Sequence, residues 1–206
     1  MNIFQIKTKP HGNERLNDFV QGEFLAIGWP GIGDLTGISK DELRKRLENE
    51  YSYESSRSLG NDLGNVWAFC NTMQEGDVVT FQGHLDNVYI VKVGPYEYVD
   101  KYDNEIGMAH QRKFELLKVV KKQQLNSKVQ ELLRNRSSIT KFKYPIEDAE
   151  LDLINIDMPV QYDSSLYVDV DEETIQKAMQ ILIDGLDSSS EEIRFKAAVE
   201  LLRYTK

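Results

Sequence analysis

The apolar pattern changes period sharply between residues 59 and 93, and that change restricts the fold more than any other feature of the chain. Leu59, Leu63, Val66, Trp67, Cys70 and Met73 fall on one stripe at helical spacing. Gly76 ends that helix. Asp77 to Phe81 and Val88 to Val93 then form two β-branched runs joined by the turn-rich segment Gln82 to Asn87, which reads as a hairpin. A helix that feeds straight into a hairpin needs a layered α+β arrangement to bury both apolar surfaces.

The flanking sequence extends this picture. Asn2 to Lys7 alternates Ile3, Phe4 and Ile6 with polar residues and predicts a first strand. Glu14 to Gln21 predicts a short helix. Phe24 to Trp29 is an almost continuous apolar run, as in a strand buried on both faces, and Pro30-Gly31 breaks it. Ser39-Lys40-Asp41-Glu42 is a capping box, with Ile38 and Leu43 placed as a hydrophobic staple, so a helix runs from Lys40 to Asn49. Tyr96 to Val99 reads as an edge strand, Lys113 to Val120 as a further strand, Lys128 to Arg134 as a short basic helix and Ile139 to Tyr144 as a closing segment. The expected fold over residues 1–145 is a β-barrel-type mixed sheet with flanking helices.

Beyond Pro145 the composition shifts. Residues 146–206 carry 15 Asp/Glu against 5 Lys/Arg. The stretch 146–170 has no clear period and reads as an acidic linker or arm. Ile175, Ala178, Met179, Leu182 and Leu186 make one helical stripe, and Ile193, Ala197 and Leu201 a second after the Ser189-Ser190-Glu191-Glu192 cap. A helical hairpin of this size, residues 171–206, cannot bury both stripes alone. It is expected to dock or to form a homodimer.

Charge is distributed unevenly around a formal net value of −9. Residues 112–143 hold ten Lys/Arg and only Glu115 and Glu131 as acids. Within them Lys121, Lys122, Lys128, Arg134 and Arg136 make a stripe suited to a nucleic-acid backbone. Chemistry of other kinds is poorly supported. His11, His84 and His110 are scattered without metal-ligand spacing, and Cys70 lies on an apolar stripe as a buried thiol would. There is no phosphate-loop or nucleophile-elbow motif. Asp169, Asp171, Glu172 and Glu173 stand where a helix N-terminus favours acids electrostatically, and a metal site is not expected there. The reading is therefore no enzyme, no cofactor and no metal. With one cysteine, no membrane-length apolar run and no apolar signal core, a cytoplasmic location is expected.

Aromatic residues carry the binding expectation. Trp29 follows a buried strand and precedes Pro30-Gly31, a geometry that presents an indole at a sheet edge. Trp67 lies on a helix where Gly60 and Gly64 leave room for close approach, and Asn65 beside it can read a base edge through its amide. Trp29, Asn65, Trp67 and Phe81 are expected to line one ligand site, with the aromatic rings stacking a base.

The motifs FLAIGW, Gly33-Asp34-Leu35, Trp67-Ala68-Phe69, Gly76-Asp77-Val78-Val79, Tyr96 with Tyr98, His110-Gln111-Arg112-Lys113-Phe114 and Ser138-Ile139-Thr140 occur in this order. Together, over residues 2 to 144, they resemble the N-terminal module of Mrr-type restriction endonucleases, which is similar to PUA and EVE domains. The nuclease half has no counterpart within these 206 residues. The resemblance implies a PUA/EVE-like fold and a reader of DNA or RNA, including modified bases, in restriction or phage–host conflict. Two other readings stand beside it. One is a binder of a nucleotide-like small molecule, acting as sponge or sensor. The other is an acidic interaction protein that inhibits a nucleic-acid enzyme.

Overall fold

A computed structural model describes residues 1–151 and 172–204. The chain divides into two units, one up to Val160 and one from Gln161 onward.

The first unit is built on a six-stranded, curled half-barrel sheet of mixed α+β type. Its strands are β1 (Ile3–Ile6), β2 (Phe24–Ile27), β3 (Val78–Gln82), β4 (Asn87–Tyr98), β5 (His110–Lys121) and β6 (Ile139–Lys141), in the order β2-β5-β4-β3-β1-β6. All neighbours are antiparallel except β1 and β3, which run parallel with Gln5 opposite Thr80. That parallel pair sets the C-terminal ends of β1 and β3, at Ile6 and Gln82, side by side.

Four helices cover the sheet: α1 (Leu16–Gly22), α2 (Lys40–Glu50), α3 (Ser56–Trp67) and α4 (Ser127–Leu133). The Ser39 hydroxyl accepts from the Glu42 amide at 3.1 Å, so α2 begins where its capping box predicts. The predicted stripe from Leu59 to Met73 is real, but α3 ends at Trp67 and one π-helical turn, Ala68–Thr72, completes it. Two cores result. Leu43, Leu47, Leu63, Val66, Phe69 and Met73 pack on one face with Phe4, Val79 and Phe81, and α4 packs on the other with Ile3, Val78, Val88 and Ile90.

The sheet differs from expectation at two places. Tyr96–Tyr98 is no separate edge strand. It continues β4, a central strand, past an irregularity between Val93 and Tyr96. Pro95 is tolerated there because the ladder is already broken. The Phe24–Ile27 strand, in contrast, is an edge strand that is buried because helices cover it. The packed unit also runs past Pro145: Ala149 and Leu151 are buried against the α4 core. From residue 152 to 170 the expected acidic arm lies outside the described residues, as do Asp169 and Asp171.

The second unit contains α5 (Glu172–Leu186) and α6 (Glu191–Tyr204). They meet at small residues, where a Cβ on Gly185 would lie 3.0 Å from that of Ala197. Ile181, Ile193 and Phe195 are exposed. Among the described residues no helix is long and apolar enough to cross a membrane.

Candidate functional site

A concavity of about 230 Å³ opens beside the end of β2. Trp29, Tyr51, Asp62, Lys7, Lys9 and His11 line it. The volume is below the range of about 300–1,000 Å³ usual for drug-sized ligands, which suits one ring system rather than an elongated molecule.

The local backbone explains how these side chains converge. Gly28 lets the strand end pass tightly under the turn at residues 9–12, since a Cβ there would lie 2.6 Å from the His11 amide nitrogen. His11 and Trp29 both adopt left-handed backbone conformations, with φ of 49° and 67°. For a bulky residue such as Trp that conformation is a genuine outlier, costing on the order of 1–3 kcal/mol. It is held because the indole Nε1–H donates to Asp62 Oδ2 at 2.9 Å, and the Tyr53 hydroxyl donates to the same oxygen at 3.2 Å. The Tyr51 hydroxyl fixes the next residue by donating to the Pro30 carbonyl at 2.5 Å. Trp29 is half-buried, so part of the ring packs on the core and part faces the concavity. Burial and the nearby Glu50, Asp103 and Asp62 charges keep the Tyr51 hydroxyl protonated well above its ordinary range.

Of the four residues expected at the site, the concavity takes Trp29. Phe81 is completely buried and stacks on Tyr89 at 4.9 Å, so it is a core residue and presents no face to a ligand. Trp67 is half-buried and packs on the same core, away from the lining of the concavity. The Asn65 amide oxygen accepts from the Ile139 amide at 3.1 Å and ties α3 to β6. Gly60 and Gly64 face open space, and no described residue approaches them.

The basic stripe divides in the same way. Lys128 pairs with Asp148 at 2.7 Å, and its ammonium lies 5.0 Å from the Tyr144 ring centroid. Lys121 donates to the Leu85 carbonyl and Lys122 to the Gln82 amide oxygen, and neither pairs with a carboxylate among the described residues. Arg134 and Arg136 are exposed. Arg112, counted with the basic run, is buried instead: its guanidinium donates to the carbonyls of Phe69, Met73 and Gly94 at 2.8–2.9 Å and closes the end of the π turn.

A model of one protein family matches residues 4–143, from within β1 to just past β6, under the description Domain of unknown function (DUF8426). The chain belongs to the DUF8426 family. No curated protein matches it. The DUF8426 region contains every lining residue of the concavity and all five residues of the expected stripe. Among its described residues no group of three His, Cys, Asp or Glu side chains is arranged to hold a metal ion.

Lys7, Lys9, His11 and Asp62 were not expected at a site. Lys7 and Lys9 precede a Pro-His-Gly turn, which marks a loop and nothing more. The turn meets the end of β2 at the close approach of His11 to Gly28.

Proposed function

We propose that this chain is a non-enzymatic nucleic-acid binding protein whose half-barrel is PUA/EVE-like and seats a single base in the Trp29 concavity. The carrying observation is the strained Trp29 backbone. A bulky residue is kept left-handed so that its indole, anchored on Asp62, forms one wall of a small space that also holds Lys7, Lys9 and His11. Base stacking on an aromatic face contributes roughly 1–3 kcal/mol, and the lysines supply phosphate contacts. Trp29→Gly tests this directly. Glycine adopts the left-handed backbone freely, so relief of strain offsets part of the lost ring packing and the unfolding midpoint should fall only slightly, while affinity for a mixed-sequence single-stranded oligonucleotide falls about 10- to 100-fold. Unchanged affinity would remove the concavity from the reading.

A nucleotide-like small molecule is the second reading, favoured by the small volume. Salt separates the two: oligonucleotide affinity falls steeply with ionic strength, whereas a single bound nucleotide loses little. The homodimer rests on the exposed Ile181, Ile193 and Phe195 of the second unit. Phe195→Asp in the full chain should then halve the mass measured by light scattering, and an unchanged mass would count against a dimer built on this face.

A further inference from the structure

Lys7 belongs both to the concavity and to the end of α4. Its Nζ donates to the Leu133 carbonyl at 3.3 Å. Gln82 Nε2 donates to the same carbonyl at 3.0 Å, and Gln82 Oε1 accepts from Lys122 Nζ at 3.5 Å. Two ammonium groups are thus arranged around one carbonyl and one amide. Among the described residues neither has an acidic partner. Burial and the Lys122 charge both pull the Lys7 pKa below its ordinary value. Holding like charges in a half-buried place is unfavourable, and the carbonyl end of a helix offsets only part of it. Each ammonium keeps unused N–H donors.

We propose that Lys7 and Lys122, positioned by Gln82 and the Leu133 carbonyl, form a phosphate subsite adjoining the Trp29 concavity. The ligand group is a phosphate ester, which accepts charge-assisted hydrogen bonds from both lysines and removes their repulsion. The subsite rests on the base-seating reading and links the concavity to the exposed Arg134 and Arg136 beyond α4.

The test uses the full chain with three probes: inorganic phosphate followed by ³¹P NMR, a nucleoside monophosphate, and a mixed-sequence single-stranded oligonucleotide at low salt. Lys7→Gln and Lys122→Gln should each abolish phosphate broadening and weaken oligonucleotide binding about tenfold. Each should also flatten the salt slope by roughly 0.7. Lys7→Arg should keep most of the affinity. Neither Gln variant should lower the unfolding midpoint, because each relieves a repulsion. Binding of the monophosphate with the same dependence on both lysines assigns the subsite to a free nucleotide, whereas dependence seen only with the oligonucleotide assigns it to a strand. Wild-type affinity and slope in Lys7→Gln, with binding still lost in Trp29→Gly, would overturn the subsite and leave the base-seating reading standing. Failure of the wild-type chain to bind any probe would overturn both.

Discussion

The Arg112 guanidinium donates through all three of its nitrogens to backbone carbonyls, whereas Lys7 and Lys122 hold their charge beside neutral partners and keep donors in reserve. The Arg112 guanidinium is buried and meets the carbonyls of Phe69, Met73 and Gly94. Beside it the Tyr96 hydroxyl accepts from the Leu35 amide at 3.3 Å and shares a 2.9 Å hydrogen bond with His110 Nδ1. Burial keeps His110 neutral near pH 7, and its Nε2 is buried without a hydrogen-bond partner among the described residues. Burial also pushes the Cys70 thiol up to about 12, so it is protonated and inert. Lys7 at the concavity and Lys122 next to it have only neutral partners, and Trp29 is strained. A guanidinium whose nitrogens all meet carbonyls serves stability; ammonium groups that keep donors in reserve suit a ligand.

The sharpest way to break this contrast is Arg112→Met. Removing the guanidinium leaves several buried carbonyls without donors, and a loss of at least about 3 kcal/mol is expected in chemical denaturation. Oligonucleotide affinity of the remaining folded protein should not change. If affinity fell while stability held, Arg112 would belong to the binding region and the division drawn here would be wrong.

His110 gives the next largest effect, and its sign follows from burial. Its folded pKa is depressed to about 4 from an ordinary 6.5, burial being the main cause and the Asp103 charge opposing it. The unfolded chain therefore takes up the proton first as pH falls. Stability is fully present above about 6.5 and is lost between there and about 4, by up to about 3 kcal/mol. Denaturation midpoints at several pH values, for wild type and His110→Gln, should show a shallower acid slope in the variant. Parallel slopes would mean His110 is protonated in both states or neither.

Much of the fold was legible because it depends on local rules. The capping box at Ser39, the helical stripe from Leu59 and the β3–β4 hairpin all follow from period and turn chemistry within a short window. The site was less legible because its residues come from the turn after β1, the end of β2, the end of α2 and the body of α3, and meet through contacts such as Gly28–His11 and Trp29–Asp62 that no local pattern announces. Arg112 was misplaced for a related reason: its partners are backbone carbonyls, which leave no trace in the order of side chains. Phe81 misled because an aromatic residue on a strand has the same pattern whether it packs in a core or faces a ligand. Trp29 stands just beyond β2, where an apolar run meets Pro30-Gly31, so its position along the chain follows from a local pattern.

The smallest expected effect lies within the basic stripe and sharpens the same contrast. Arg136 is exposed and has no ion pair among the described residues, while Lys128 is held by Asp148 and the Tyr144 ring. The salt slope counts cations that displace counterions from phosphates. Arg136→Gln should flatten the slope of single-strand binding by roughly 0.7. Lys128→Gln should leave it unchanged, because a lysine bound to Asp148 makes no phosphate contact. Asp148→Asn then works in reverse: it releases Lys128, and the slope should steepen by a similar amount while the Asn126 amide still donates to the Asp148 backbone carbonyl. Measuring affinity at several salt concentrations for the three variants is enough. An equal flattening by Lys128→Gln and Arg136→Gln would show that the pair with Asp148 opens on binding, and the stripe would then act as one surface.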